Sequence, residues 1–254
     1  MKILAISDLH GEMGRLDQLQ QVIESEKPDL ALFAGDVVRG KRRGDEWLAA
    51  MRENRKPRRS LPELESELEA DSKTLEAFLD RFSEWKLPLA YVLGNMDSPK
   101  EHFLFEAINA EAAHAGIRCV HGGPWIFRER FLIFGYGGEI SSDRYEDFFQ
   151  FVSPHWEAEY HLKFLREFDQ QLFLLFHLPP RILVEQGQPA PGNDVVHEMI
   201  KTHRPELVIV GHQHDLQKHV TIGPSLVVSP GALKKGYYAL IQWPAREVQF
   251  GKME

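Results

Sequence analysis

An apolar run, Ile3, Leu4, Ala5 and Ile6, is followed by Leu16, Leu19, Val22 and Ile23 at helical spacing and then, past Pro28, by a second apolar run from Leu30 to Ala34. Short apolar runs bounded by turn signals read as buried strands, and the amphipathic segment between them reads as a helix. A strand joined through a helix to the next strand returns parallel to it, with a right-handed crossover. This opening commits the chain to an α/β arrangement built on parallel strands.

The pattern recurs along the chain. Leu87 to Leu93 predicts a third strand, Pro99 to Ala115 a helix, Gly116 to Val120 a fourth strand and Phe131 to Phe134 another. Ser153 to Asp169 predicts a helix with Tyr160, Phe164, Leu165 and Phe168 on its apolar side, Leu172 to Phe176 a strand, Asp194 to His203 a helix and Leu207 to Val210 a strand. From Lys218 the spacing changes to short strands at 220–222, 226–228, 237–242 and 247–250. An alternating α/β half followed by a strand-rich tail predicts two packed β-sheets flanked by helices, a four-layer αββα sandwich. With 254 residues, 43% of them hydrophobic, the chain buries a large core without disulfide or metal staples. We read residues 1–254 as one domain carrying a charged helical insertion at about 41–86.

That insertion is dense in charge, and Pro57 and Pro62 divide it into two helices, roughly Asp45 to Asn54 and Leu64 to Trp85. The second carries an apolar stripe, Leu64, Leu68, Leu75, Phe78, Leu79 and Phe82, suited to packing on the body or on a second chain, so an oligomer through 41–86 is one expectation. Arg52, Arg55, Lys56, Arg58 and Arg59 cluster at the helix junction, either as a solvated loop or as a clamp over the active edge.

A formal charge of −8 argues against a surface that grips long nucleic acid. The one cysteine, Cys119, excludes an intrachain disulfide and suits a reducing cytoplasm. No apolar run is long enough to span a bilayer and the first residues lack a leader pattern, so we expect a cytoplasmic protein without membrane contact.

Polar residues punctuate the ends of these strands: Asp8 and His10, Gly35-Asp36, Gly94-Asn95-Met96-Asp97, His177, and Gly211-His212-Gln213-His214. Ligands gather at the carboxyl ends of strands in open α/β sheets, and in an extended chain Asp8 and His10 project to the same side. Asp8, His10, Asp36, Asn95, His177, His212 and His214 are oxygen and nitrogen donors without a thiolate, a set suited to Mn, Fe, Zn or Ni. Seven donors exceed the needs of one ion. Two divalent ions call for a bridging carboxylate, and ions about 3.5–4 Å apart clamp a phosphate ester and generate a bridging hydroxide near neutral pH. The glycine-rich Gly135-Tyr136-Gly137-Gly138 lacks the spacing of a dinucleotide fingerprint.

In order and strand context this series resembles the calcineurin-like metallophosphoesterase family, with its pattern D-x-H, G-D, G-N-x-[DE], H and G-H-x-H, from residue 8 to residue 214. The resemblance implies that Asp8, His10 and His214 hold one divalent metal ion, that Asn95, His177 and His212 hold the other, and that Asp36 bridges them, Mn being the first choice. It implies hydrolysis of a small phosphate ester by a metal-bridging hydroxide, with Asp36 and Asn95 central to catalysis. Asp97 corresponds to an acid that orients rather than binds.

The chain departs from the pattern at Met96, where phosphatases of the family usually place a histidine, and a thioether donates no proton. Some bacterial and archaeal members also lack that histidine, which implies phosphodiester hydrolysis. His121, at the end of the fourth strand, is a candidate replacement acid or else a hydrogen-bonded turn residue. Arg39, in a Gly-Asp-Val-Val-Arg-Gly stretch similar to a protein-phosphatase segment shortened by one residue, is a candidate phosphate contact. The rival readings are a phosphomonoesterase or nucleotidase, favoured if His121 or Arg39 supplies what Met96 does not, and a non-catalytic interaction scaffold on the same fold. His102, His114, His155, His161, His197, His203 and His219 lack partners at ligand spacing and read as surface or packing residues.

Overall fold

The computed structural model describes residues 1–142, 144–184 and 192–254. In chain order its elements are β1 (Lys2–Ile6), α1 (Arg15–Glu26), β2 (Leu30–Phe33), α2 (Lys41–Arg52), α3 (Pro62–Glu84), β3 (Leu89–Tyr91), α4 (Lys100–Ala113) and β4 (Ile117–Cys119). There follow β5 (Trp125–Phe127), β6 (Phe131–Tyr136), β7 (Glu139–Ser141), β8 (Glu146–Asp147), β9 (Phe151–Pro154), α5 (His155–Leu162) and β10 (Gln171–Phe176). The chain ends with α6 (Asp194–His203), β11 (Leu207–Ile209), β12 (Gln217–Ile222), β13 (Ser225–Pro230), β14 (Tyr237–Gln242) and β15 (Glu247–Lys252).

Two six-stranded sheets form, in the orders β15-β14-β1-β2-β3-β4 and β12-β13-β11-β10-β6-β5. In the first, β1 to β4 run parallel and β14 and β15 are added antiparallel. In the second, β6, β10, β11 and β13 run parallel, and β5 and β12 close the edges antiparallel. The period of two sorts side chains between layers. Ile3 and Ala5 of β1, with Leu30 and Leu32 of β2, face a core shared with Phe173, Leu175 and Ile209 of the other sheet. Leu4, Ile6, Ala31 and Phe33 face outward onto α1, α3 and α4. A third cluster, including Phe134, Leu174 and Val208, packs against α5 and α6. The four-layer αββα sandwich expected from the sequence is the fold found, with each fully buried leucine or phenylalanine worth about 1.5–3 kcal/mol over its exposed state.

The structure departs from the sequence reading at several elements: β5 at Trp125–Phe127 was not expected, and α2 starts at Lys41 rather than near Asp45. Ser153 to Asp169 is not one helix: residues 151–154 form β9, α5 occupies His155–Leu162, and a 3-10 turn follows at Lys163–Glu167. Pro154 disfavours helical backbone at Ser153, and β9 is drawn into pairing with β7 and β8. That three-stranded sheet, β7-β9-β8, was not expected, because strands of two to four residues carry no readable period.

The apolar stripe of α3 faces the body of its own chain. Leu75, Phe78, Leu79 and Phe82 are buried in the outer core of the first sheet, and the Phe78 ring lies 4.8 Å from that of Phe33. In α2 the buried Arg43 pairs with Asp71 at 2.7 Å and Glu67 at 3.4 Å, while Gly44 and Trp47 pack against Phe149 in the turn between β8 and β9. Two members of the basic cluster are engaged: Arg55 pairs with Glu46 and Glu53, and Arg59 lies over the Phe148 ring and donates to the Asp147 carbonyl. Among the described residues no helix is long and apolar enough to cross a membrane.

Candidate metal centre

The exits of β1 and β2 are held to one another beyond the last paired strand residues. The Asp8 amide donates to the Gly35 carbonyl (2.9 Å), that of His10 to Asp36 (3.0 Å) and that of Gly11 to Val37 (2.8 Å). Asp8, His10, Asp36 and His212 all take left-handed backbone, with φ of 57°, 48°, 65° and 68°. Asp8 and His10 therefore converge through two turned residues rather than through the extended geometry the i, i+2 spacing suggested. Such backbone in non-glycine residues costs about 1–3 kcal/mol each and persists only where surrounding contacts over-determine it. Between the second and third exits the backbones nearly touch: a Cβ on Gly94 would lie 2.1 Å from Asp36 Oδ1, so only glycine fits there.

The seven donors that the sequence singled out meet as two connected clusters. In one, His10 Nε2 lies 3.0 Å from His214 Nε2 and 3.7 Å from Asp8 Oδ1, and His214 Nε2 lies 3.5 Å from the same oxygen. In the other, Asn95 Oδ1 is 2.8 Å from His177 Nε2 and 3.3 Å from His212 Nδ1, and those two nitrogens are 3.3 Å apart. Asp36 Oδ2 stands between them, 3.5 Å from His10 Nε2 and 3.3 Å from His177 Nε2. Asp8, His10 and His214, and separately Asp8, Asp36 and His177, each place ligand atoms within 4.8 Å of one another. Imidazole nitrogens and carboxylate oxygens packed this closely in a buried spot are chemically suited to a cation.

Backbone contacts fix which atoms face inward. His177 Nδ1 is 2.7 Å from the Ala34 carbonyl, so it carries the proton and Nε2 is left for the cluster. The His212 amide donates to Asp8 Oδ2 (3.0 Å), and the Met96 amide to Asp36 Oδ1 (2.7 Å). Asp97 makes the largest contribution of this kind. Its buried carboxylate accepts from the amides of Asp36 (2.9 Å), Val37 (2.9 Å), Val38 (3.0 Å) and Gly94 (2.7 Å), tying two strand exits into one body.

The sequence matches the metallophosphoesterases of the calcineurin superfamily over residues 1–253. The chain belongs to that family. Among solved structures, the protein TT1561 of Thermus thermophilus is 31% identical with a TM-score of 0.78, over 100% of this chain and 99% of that one. A dimetal phosphatase from Danio rerio superposes with a TM-score of 0.62 at 12% identity, over 100% of this chain and 96% of that one. A structure described as a novel archaeal phosphodiesterase gives a TM-score of 0.50 at 13% identity, over the full length of both. At such identities the last two share the fold alone. No curated protein matches the sequence.

In this metallophosphoesterase the carboxylates of the site are held ionised and favour positive charge among them. Burial would push the Asp8 carboxyl up, but hydrogen bonds to His10 and His214 and the charge of His177 hold it well below the usual range. Burial opposes a charged His177, yet the Asp36 carboxylate beside it raises the imidazole to about 9. His212 is pushed down to about 4 by burial and by His177. Burial and the charge of Asp36 push Asp97 up to about 6, against the amides it accepts. At pH 7 His177 therefore holds a proton that a metal bound at Nε2 would displace. Calorimetric titration with Mn at pH 7 in buffers of different ionisation enthalpy is expected to show proton release that fades as pH rises through about 9. Heats independent of the buffer would contradict this.

Arg39 and His121 do not join the clusters. The Arg39 side chain is 63% exposed and its Nη2 lies 3.2 Å from Glu12 Oε1. His121 accepts the Gly137 amide at Nδ1 (3.0 Å), its ring lies against Tyr136 and Phe151, and burial and the nearby charge of Lys100 push its pKa down to about 3. It is a neutral turn histidine at physiological pH. Sequence reasoning passed over Lys234, whose amide donates to the Asp8 carbonyl (3.1 Å) and whose ammonium feels the charges of Asp8 and Asp36. No local signal marks it, since the loop after β13 reaches β1 only through the tertiary fold.

Proposed function

We propose that this metallophosphoesterase is a two-metal phosphodiesterase acting on small phosphate esters. One observation carries the two-metal reading: Asp36 Oδ2 lies within 3.5 Å of His10 Nε2 and 3.3 Å of His177 Nε2, the placement a bridging carboxylate needs. Asp8, His10 and His214 would hold one divalent ion and Asn95, His177 and His212 the other. Mn is the first choice for this nitrogen and oxygen set, with Fe, Zn or Ni as alternatives. The ions supply charge neutralisation at the phosphoryl oxygens and an activated water as nucleophile. The chain's own part is to hold that arrangement rigid: Asp97 and the Met96 amide orient Asp36, the Ala34 carbonyl orients His177, and the His212 amide orients Asp8.

The lean to diesters rests on Met96. It is half-buried next to Asn95, with Sδ 3.8 Å from Asn95 Nδ2, and it offers a departing alkoxide no proton. Monoester transfer passes through a loose transition state with much charge on the leaving oxygen, whereas a diester draws more on the attacking nucleophile. With Mn, bis-p-nitrophenyl phosphate is expected to exceed p-nitrophenyl phosphate in kcat/KM by about tenfold, a difference of about 1.4 kcal/mol in transition-state stabilisation. Faster hydrolysis of the monoester would reverse the assignment in favour of a phosphomonoesterase or nucleotidase. Fewer than two ions per chain under saturating Mn, together with no hydrolysis of either ester, would favour the scaffold.

A further inference from the structure

The chain carries a formal charge of −8, yet an open cavity of about 750 Å³ is lined by four cations, Arg15, Lys234, Lys235 and Lys252, with Asp215 and Glu254 as the acids on its wall. Lys235 is engaged by Asp215 at 2.7 Å. Arg15 is held by Gln18 Oε1 (2.6 Å) and by the carbonyls of Lys234 (3.2 Å) and Glu254 (3.4 Å). The ammonium groups of Lys234 and Lys252 make no hydrogen bond or ion pair among the described residues, and Lys252 lies over the Tyr237 ring, 5.2 Å from its centroid.

Two segments join this cavity to the candidate metal centre. The Lys234 amide is bonded to the Asp8 carbonyl, and Asp215 directly follows His214. Exposed lysines by themselves are ordinarily a solvated face. Here a half-buried ammonium without a hydrogen-bond or ion-pair partner among the described residues stands within electrostatic reach of Asp8, His10 and Asp36, in a protein whose overall charge repels anions. Desolvating a cation is unfavourable unless something pairs with it, and a phosphate pairs with lysine through charge-assisted hydrogen bonds.

We infer that this cavity receives a second phosphate, so that the preferred substrate is a phosphate ester carrying another phosphate on its organic part, of the size and charge of a nucleoside bisphosphate. This rests on the phosphoesterase reading above. Lys234 and Lys252 supply the donors, and the Tyr237 ring offers an apolar wall to the organic part.

The test is calorimetric binding of adenosine 3′,5′-bisphosphate and adenosine 5′-monophosphate to the Mn-loaded protein. The bisphosphate is expected to bind about tenfold more tightly, the scale of one added charge pair near a protein surface. Lys252→Gln, on an exposed strand residue, and Lys234→Gln are each expected to reduce that preference to less than about threefold, whereas Lys73→Gln on α3 leaves it intact. Equal affinities for the two nucleotides in the wild type, or a preference that survives both cavity substitutions, would overturn the inference. If no phosphate ester is hydrolysed with any divalent metal and the preference still holds, the anion site stands and the hydrolytic reading falls.

Discussion

Asp36→Ala is expected to lower phosphodiester hydrolysis by at least about a thousandfold, several kcal/mol of lost transition-state stabilisation. The carboxylate stands between the two donor clusters, and against the effect of burial its charge is the main influence that raises His177. On the two-metal reading proposed above, alanine would remove the bridging carboxylate that offsets the repulsion between the two ions. Elemental analysis after dialysis should fall to one ion per chain or fewer. Hydrolysis within about tenfold of the wild type, with two ions retained, would mean the donors are wrongly assigned or a contaminating enzyme is being measured.

Asp97→Ala is expected to act chiefly on stability. Four buried backbone amides, on Asp36, Val37, Val38 and Gly94, lose their acceptor at once, in a place too tightly packed to admit four waters. Leaving one buried donor without a partner costs about 1–3 kcal/mol, and with partial relaxation the total should reach about 3–5 kcal/mol. For a chain of this size that lowers the melting temperature by about 10 °C. Asp97→Asn retains one acceptor oxygen but turns an NH2 toward the same amides, so it should recover less than half of the loss. Thermal unfolding of the metal-free protein checks both variants. A change below about 3 °C for the alanine variant would show that the amides find other acceptors. Because the same carboxylate fixes the Asp36 turn, the variant should also bind Mn more weakly.

Much of the site was legible because its residues stand at predictable places. Asp8, Asp36, Asn95, His177 and His212 each follow a short apolar run, and such runs become buried parallel strands whose carboxyl ends share an edge. The tail strands were legible too, as short apolar or β-branched runs separated by turn residues, although β12 and β13 extend beyond the 220–222 and 226–228 cores of that reading. The small sheet was not, because β8 has two residues and β7 three, and the helix start at His155 was hidden among residues that suit either state. Arg39 and His121 carry suitable chemistry at suitable positions. Where their side chains go depends on neighbours distant in sequence: Glu12 for Arg39, and Tyr136, Gly137 and Phe151 for His121.

The amino-acid order by itself determined the sandwich, the family pattern and the seven donors, because hydrophobic period and strand-end position are local properties of a chain. Tertiary structure alone decided that Asp36 stands between two clusters, that Asp97 binds four amides of two separate turns, and that Lys234 reaches the rim beside Asp8. Each of those depends on loops from different strands approaching within hydrogen-bond distance, and the closeness of such an approach is set by packing between segments that no local pattern encodes.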